Sequence, residues 1–174
     1  MKVFLIAKRY ASYTVFLSIL LIFFLIKPAA AQEIYHIIFV SNRDGNEEVY
    51  VMDSSGSQVS NLTRSQARDW HPDWSPDGRQ ITFNTNRDGN NEIYLMQNNG
   101  RGLVNITNNP AADNAPDWSP DGKTIVFASD RNGAPDLYLL DIATQVVTRL
   151  TEDGAEKGAP TWSPDNREVM YWAN

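Results

Sequence analysis

The 174-residue sequence contains no cysteine, only two histidines, and fewer basic than acidic residues, 15 against 21. Without cysteine no disulfide framework is available, so the stability of the chain must come from burial and hydrogen bonding. A formal charge of −6 leaves no basic surface of the kind that nucleic acid or an anionic membrane attracts. The composition therefore excludes a disulfide-stapled fold and predicts no nucleic-acid partner.

Residues that carry catalysis are also scarce. The sequence has no Gly-x-Ser-x-Gly nucleophile elbow, and the serines of its Ser-Pro turns are explained as turn formers. His71 replaces the alanines found 44 and 88 residues later, Ala115 and Ala159, and it lies near Asp69 and Asp73 in sequence. The histidine and the two aspartates form a candidate ligand contact, and a partly exposed structural histidine is the simpler interpretation. We expect no catalytic residues and no enzymatic activity.

The first 31 residues predict a signal peptide that is cleaved before Gln32. Basic residues precede an apolar stretch from Val15 to Ile26, and Ala29-Ala30-Ala31 supplies the small residues that signal peptidase accepts. An uncleaved membrane anchor is the alternative, but this stretch is short against the roughly 20 residues that span a bilayer. The mature chain, residues 32–174, is expected to be periplasmic or secreted, to lack a stable membrane span, and to form one domain.

A repeat dominates the rest of the chain. Trp74, Trp118 and Trp162 each open the run Trp-Ser-Pro-Asp, and successive copies lie 44 residues apart. The same period carries an Asn-Arg-Asp-Gly motif, a tyrosine and a pair ending in threonine: Asn42-Arg43-Asp44-Gly45, Asn86-Arg87-Asp88-Gly89, Tyr50, Tyr94, Tyr138, Leu62-Thr63, Ile106-Thr107 and Leu150-Thr151. A repeat of about 40–45 residues is the size of one four-stranded propeller blade.

One period has the pattern of four short strands separated by turns. In the most complete copy, strands are predicted at 115–118, 123–129, 136–141 and 146–151. Pro116 is expected at the start of its strand, because proline donates no ladder hydrogen bond. The sequence therefore predicts an all-β fold of propeller blades, each with four antiparallel strands. About three 44-residue repeats span approximately 34–69, 70–113 and 114–157, followed by a partial repeat, 158–174.

The residues that open each repeat are assigned structural roles. A large flat tryptophan at a fixed place in every blade fills the gap between twisted sheets, and Ser-Pro-Asp-Gly makes a tight turn. The structural repeat residues are Trp74, Trp118, Trp162, Pro76, Pro120, Pro164, Asp77, Asp121, Asp165, Gly78 and Gly122. Calcium binding is the alternative role of the acidic turns, but they lack the ligand density of a dedicated calcium loop. We expect no metal and no other cofactor.

The combined pattern resembles the WD-like β-propeller repeat of the TolB-like family. The motifs that carry this resemblance are Pro-x-Trp-Ser-Pro-Asp-Gly, Ile-x-Phe, Asn-Arg-Asp-Gly-Asn-x-Glu-Ile-Tyr and Leu-Thr, and together they cover residues 34–174 in phase. The resemblance implies a propeller, typically of six blades in the TolB-like case. Similar repeats occur in the propellers of prolyl-oligopeptidase-type enzymes. We expect residues 34–174 to contain neither the catalytic domain of those enzymes nor the additional N-terminal domain of TolB-like proteins.

The number of repeats does not match a closed ring. Counted strand by strand, the chain holds three, four, four and two strands, whereas propellers close with four to eight blades. The sequence is a fragment of a longer propeller, or it forms a homodimer of six blades in which the Trp162 strand completes the partner's first blade, or it is an open arc that needs another protein. The duplicated second strand, 37–41 and 169–173, argues against the dimer, because one copy would be surplus at each junction.

Three functions are compatible with the sequence. The first is a non-catalytic exported β-propeller module that binds a protein or peptide partner in the cell envelope. The second is a truncated fragment or accessory propeller of a hydrolase of the prolyl-oligopeptidase type or of a glycan-active protein. A lectin-like domain that binds calcium or carbohydrate is a third interpretation.

Overall fold

The computed structural model describes residues 36–174, which form thirteen β-strands and no helix. The strands are β1 His36–Ser41, β2 Glu48–Asp53, β3 Ser60–Asn61, β4 Asp69–Trp74, β5 Gln80–Thr85, β6 Glu92–Gln97, β7 Val104–Asn105, β8 Asp113–Trp118, β9 Thr124–Ser129, β10 Asp136–Asp141, β11 Val147–Arg149, β12 Lys157–Trp162 and β13 Val169–Ala173. The predicted signal peptide, 1–31, and the first two residues of the first repeat lie outside the described part. Across 36–174, no helix is long and apolar enough to cross a membrane.

The strands form four sheets in chain order. We call them blade 1 (β1–β3), blade 2 (β4–β7), blade 3 (β8–β11) and blade 4 (β12–β13), and every hydrogen-bonded pair of strands is antiparallel. The strand counts are therefore three, four, four and two. The predicted all-β fold with four antiparallel strands per blade is confirmed, as is a ring that residues 36–174 leave incomplete.

The strands that open blades 2, 3 and 4, namely β4, β8 and β12, each contain a β-bulge. In β8 the register shifts between Asn114 and Asp117, and Ala115 takes a φ of +53°. The predicted strand start at Ala115 is wrong, because β8 begins at Asp113 and Pro116 lies inside the strand. The bulge removes two residues from the ladder, so a proline without an N–H is tolerated in the interior of the strand.

Hydrophobic residues pack between neighbouring blades. One cluster joins blades 1 and 2 and consists of Val49, Ile81, Phe83, Tyr94 and Met96. The other joins blades 2 and 3 and consists of Ile93, Ile106, Trp118, Ile125, Phe127, Tyr138 and Leu140. Because a twisted sheet buries its faces only against another sheet, the core of this fold lies between the blades.

Backbone hydrogen bonds repeat the connection between blades at the 44-residue period. The N–H groups of Asp69, Asp113 and Lys157 each donate over 2.8 Å to a carbonyl of the preceding blade, on Glu47, Asn91 and Pro135. Each first strand is therefore fixed to the blade before it as well as to its own sheet.

The Leu-Thr pairs extend sheets whose fourth strands are only two or three residues long. Thr63 Oγ1 accepts the N–H of Val49 over 3.1 Å and donates to a carboxylate oxygen of Glu48 over 2.7 Å. Thr107 and Thr151 accept the N–H groups of Ile93 and Leu137 in the same way, each over 3.0 Å. The threonine hydroxyl accepts the N–H that a carbonyl of a longer neighbouring strand would accept. This hydrogen bond explains why threonine recurs at this position.

Candidate functional site

The Ser-Pro-Asp-Gly turns use their aspartates internally. Asp121 accepts a hydrogen bond from Ser119 Oγ over 2.7 Å and another from the N–H of Lys123 over 3.1 Å. The serine hydroxyl and that N–H hold the pKa of the Asp121 carboxyl below its usual value. Asp77 and Asp165 accept the equivalent serine bonds over 2.6 Å. Throughout residues 36–174, no group of three or more histidine and acidic side chains could hold a metal ion.

The three residues of the candidate ligand contact do not converge. His71 is exposed on the bulge of β4, where its φ of +48° matches those of Ala115 and Ala159. Asp69 is fully buried and pairs with Arg87, its Oδ1 lying 3.1 Å from Nη2. Asp73 is partly buried and accepts the N–H of Trp118 over 2.8 Å. Both aspartates therefore have structural partners, and the described residues provide no hydrogen bond from either to His71.

Two aspartates link the first strands of successive blades. Asp73 of blade 2 binds the Trp118 N–H of blade 3, and Asp117 of blade 3 binds the Trp162 N–H of blade 4 over 2.7 Å. Desolvation, with the neighbouring Asp117 charge as a smaller cause, raises the pKa of Asp73 to about 7. Reasoning from the sequence missed this link, although Pro-Asp-Trp recurring in phase is a signal that could have revealed it.

The Asn-Arg-Asp-Gly motif, with its variant Asp130-Arg131-Asn132-Gly133, supplies an arginine that organises blades 1, 2 and 3. The guanidinium groups of Arg43, Arg87 and Arg131 each lie 4.7 Å from the centre of a tyrosine ring, on Tyr50, Tyr94 and Tyr138. Arg87 pairs with the buried Asp69, and Arg131 pairs with the equally buried Asp113 over 2.9 Å. The sequence interpretation saw only a turn here, because the acidic partner lies 18 residues before the arginine.

The partners of the tyrosine and of the acidic position change in blade 3 and at its junction with blade 4. The hydroxyl of Tyr94 donates to Asp88, whereas in blade 3 Asn132 donates to the hydroxyl of Tyr138 over 2.7 Å. At the acidic position filled by Asp69 and Asp113, the next repeat has Lys157, whose side chain is fully buried. The Lys157 ammonium binds Asp136, 3.2 Å away, and also Asp153. The junction of blades 3 and 4 therefore has the opposite charge at this position.

Turns form two grooves on one face, the first within blade 2 and the second between blades 2 and 3. Successive strands are antiparallel, so turns alternate between two faces, and the Ser-Pro-Asp-Gly turns share one face with the turns between third and fourth strands. We call this the Ser-Pro face and define it by residues 75–80, 97–101, 119–123 and 163–167. A groove of about 400 Å³ is lined by Asp77, Arg79, Gln80, Gln97 and Asn98.

A second groove of about 190 Å³ lies between the turns of blades 2 and 3. Its lining includes Pro76, Asp77, Trp118 and Asp121. The tryptophan is 6% exposed, and within the described residues its buried Nε1 has no hydrogen-bond partner. Trp74 and Trp162 are only partly buried.

Basic side chains project from the Ser-Pro face at the repeat period. Arg79, Lys123 and Arg167 lie 44 residues apart, and all are exposed. The nearest carboxylates, Asp77 and Asp121, lie 3.8 Å from Arg79 and Lys123 and already accept turn hydrogen bonds. The three basic side chains therefore form an exposed, periodic feature of the Ser-Pro face.

Comparisons with known proteins agree with this architecture. A family model described as the TolB beta propeller domain matches residues 24–109 and 70–174. The chain is 44% identical over 45 residues to the Tol-Pal system protein TolB of Geobacter sulfurreducens, which covers 26% of this chain and 10% of that protein. The matched segment is thus a small part of that relative's length.

Solved structures extend the similarity to most of the chain. A structure from Agrobacterium tumefaciens assigned as a TolB superposes with a TM-score of 0.74 at 26% identity, covering 80% of this chain and 50% of that one. TolB from Acinetobacter baumannii gives a TM-score of 0.69 at 30% identity, covering 78% and 34%. An oligogalacturonate lyase from Vibrio parahaemolyticus shares only the fold, with a TM-score of 0.63 at 18% identity, covering 80% and 42%.

Proposed function

Because the chain belongs to the TolB β-propeller domain family, we propose that it is a non-catalytic, exported module that binds a protein or peptide partner in the cell envelope. The resemblance predicted from the repeated motifs is confirmed at the level of this family. The chain spans only part of the length of these relatives, so binding and location are proposals for this chain.

The groove of about 400 Å³ on the Ser-Pro face carries the proposal. Sites for small molecules are mostly apolar and enclose most of their ligand. This groove lies between two turns of blade 2 and is lined by charged and amide side chains. Amide groups and flanking cations suit an extended peptide with carbonyl and carboxylate acceptors.

The envelope location is supported by two further observations. The first 31 residues have the pattern of a cleaved signal peptide, and the name of the curated relative assigns that protein to the Tol-Pal system. An exported protein without cysteine depends on packing for its stability, and the clusters between blades supply that packing.

An accessory role in a longer enzyme is the second candidate. The lyase that shares this fold is the observation in its favour. Reading the gene in frame beyond the codon for Asn174 tests it, because a hydrolase motif there would support this candidate, whereas its absence would favour a binding module.

The Ser-Pro face can be tested by charge reversal. We expect the Arg79→Glu/Lys123→Glu variant to capture roughly 5- to 10-fold less partner from a bacterial envelope extract, because rim charges steer and orient a complex. The measurement is quantitative pull-down with mass spectrometry. The matched control is Arg64→Glu, an exposed arginine on the opposite face. Equal losses in both variants, or no partner depleted by the double change, would count against this face.

A further inference from the structure

Blade 1 has an open strand edge at β1. In blades 2 and 3 the second strand pairs on both sides, β5 with β4 and β6, and β9 with β8 and β10. In residues 36–174, β1 pairs with β2 alone. The free edge of β1 carries the backbone N–H and C=O groups that accept an added strand.

In blades 2 and 3, the equivalent edge of the second strand is paired with β4 and β8. These two strands show which side chain the edge accepts. Asp69 lies opposite Thr85, and Asp113 lies opposite Ser129. Both aspartates are fully buried, and each is paired with the arginine two residues after that hydroxyl, Arg87 or Arg131. The second strand therefore recognises one carboxylate on its neighbour with a hydroxyl and a guanidinium.

Blade 1 has the same pair of a hydroxyl and an arginine, Ser41 and Arg43, but no aspartate opposite them within the described residues. Arg43 Nε donates to Ser41 Oγ over 3.0 Å, just as Arg87 donates to Thr85 over 3.1 Å. Within the described residues, no carboxylate lies within 4.0 Å of the Arg43 guanidinium, so it is exposed and unpaired. The sequence has Leu25, an uncharged residue, one period before Asp69.

We propose that the free edge of β1 binds an extended segment of a partner polypeptide that places a carboxylate opposite Ser41 and against Arg43. This inference rests on the proposed binding function and gives the chemistry of one partner segment. The incoming strand completes blade 1 as β4 completes blade 2. Its carboxylate forms a charge-assisted pair with a guanidinium already oriented by Tyr50 and Ser41.

A second copy of the chain is a poor donor of this strand. Its β12 carries Lys157 where β4 and β8 carry aspartate, and Ala173 lies opposite in place of a hydroxyl. Inserted beside β1, β12 would bring the Lys157 ammonium against Arg43, and like charges facing each other across strands are destabilising. The charges thus oppose a six-blade homodimer joined through β12.

A synthetic peptide that contains the sequence of β8 tests the inference. The probe is a fluorescein-labelled peptide of residues 111–121, which contains Asp113, and the matched peptide carries Asp113→Lys. Binding to the mature chain is followed by fluorescence anisotropy. We expect the aspartate peptide to bind about 10-fold or more tightly than the lysine peptide, as for a hydrogen-bonded charge pair.

The receptor side is tested with Arg43→Gln, whose side chain is exposed, and with Arg64→Gln, an exposed arginine outside the Ser-Pro face, as the control. Arg43→Gln should abolish the difference between the peptides, and Arg64→Gln should preserve it. Equal binding of the two peptides, no saturable binding, or an unchanged difference in Arg43→Gln overturns the inference. Partner capture that depends on Arg79 and Lys123 would then still support the proposed function, so the two failures are distinguishable.

Discussion

Replacing Lys157 with aspartate is expected to lower the melting temperature of the domain by roughly 10 °C or more. The Lys157 side chain is fully buried, and its ammonium contacts Asp136, Asp153 and the carbonyl of Ala155, the last over 2.8 Å. Aspartate at this position would place another carboxylate beside Asp136, which is itself only 2% exposed. Removing one partner of a buried pair is costly because the other charge stays buried without compensation.

The control for this change is Lys123→Asp. Lys123 is 78% exposed and lies 3.8 Å from Asp121, the looser surface equivalent of the same type of pair. Exposed pairs contribute little, so this variant should melt within a few degrees of the unmodified chain. Circular dichroism melts of the two variants make the comparison. Similar melting temperatures for both would contradict a structural role for the Lys157 network.

Replacing Asp73 with asparagine is expected to stabilise the domain at pH 8. Desolvation raises the pKa of Asp73 from 3.8 to about 7, so at pH 8 the folded chain carries a poorly solvated carboxylate. Asparagine retains an oxygen that can accept the N–H of Trp118, and it carries no charge. The full shift corresponds to about 4 kcal/mol, and because the side chain is only partly buried we expect a gain of about 1–3 kcal/mol.

The sign of the pH dependence follows from proton binding. Between about pH 4 and pH 7, the folded chain holds a proton on Asp73 that the unfolded chain has lost. The free energy of unfolding therefore falls as pH rises through this window, and the advantage of Asp73→Asn should be smaller at pH 5 than at pH 8. Urea denaturation at both pH values measures it. An advantage of equal size at the two pH values would contradict a raised pKa for Asp73 in the folded chain.

Asp165→Asn is the matched control with the opposite sign. The hydroxyl of Ser163 donates to Asp165 over 2.6 Å and lowers the pKa of that exposed carboxyl. Its contribution to stability is present at pH 8 and is lost as pH falls. Asp165→Asn should therefore be neutral or destabilising at pH 8, where Asp73→Asn stabilises.

The strands and turns were predictable because their signals are local. Gly122 takes a φ of +70° and its N–H donates to the carbonyl of Ser119 over 2.9 Å, as the Ser-Pro-Asp-Gly run predicts. The third strand of blade 3 runs from Asp136 to Asp141, the predicted range. The bulge in β8 was missed, because a residue such as Ala115 gives no local sign of a left-handed φ.

The candidate site was less predictable, because its contacts join residues that lie far apart in sequence. Asp69 and Arg87 are separated by 18 residues, and Asp73 and Trp118 by 45. The period shows that such positions recur, but it does not show which of them touch. The interpretation therefore grouped Asp69 and Asp73 with His71, whereas the fold sends each aspartate to a different partner.

The sequence by itself determined the all-β class, the blade size, the strand count and the family, since the 44-residue period and the turn residues act within one blade. The tertiary structure alone decided which charges are buried between blades, which groove the turns enclose, and which arginine has no acidic partner within residues 36–174. Those properties depend on how one twisted sheet stacks on the next. Lys157 and Arg43 are ordinary basic residues in the sequence, and only stacking buries the first against Asp136 and leaves the second on an open edge.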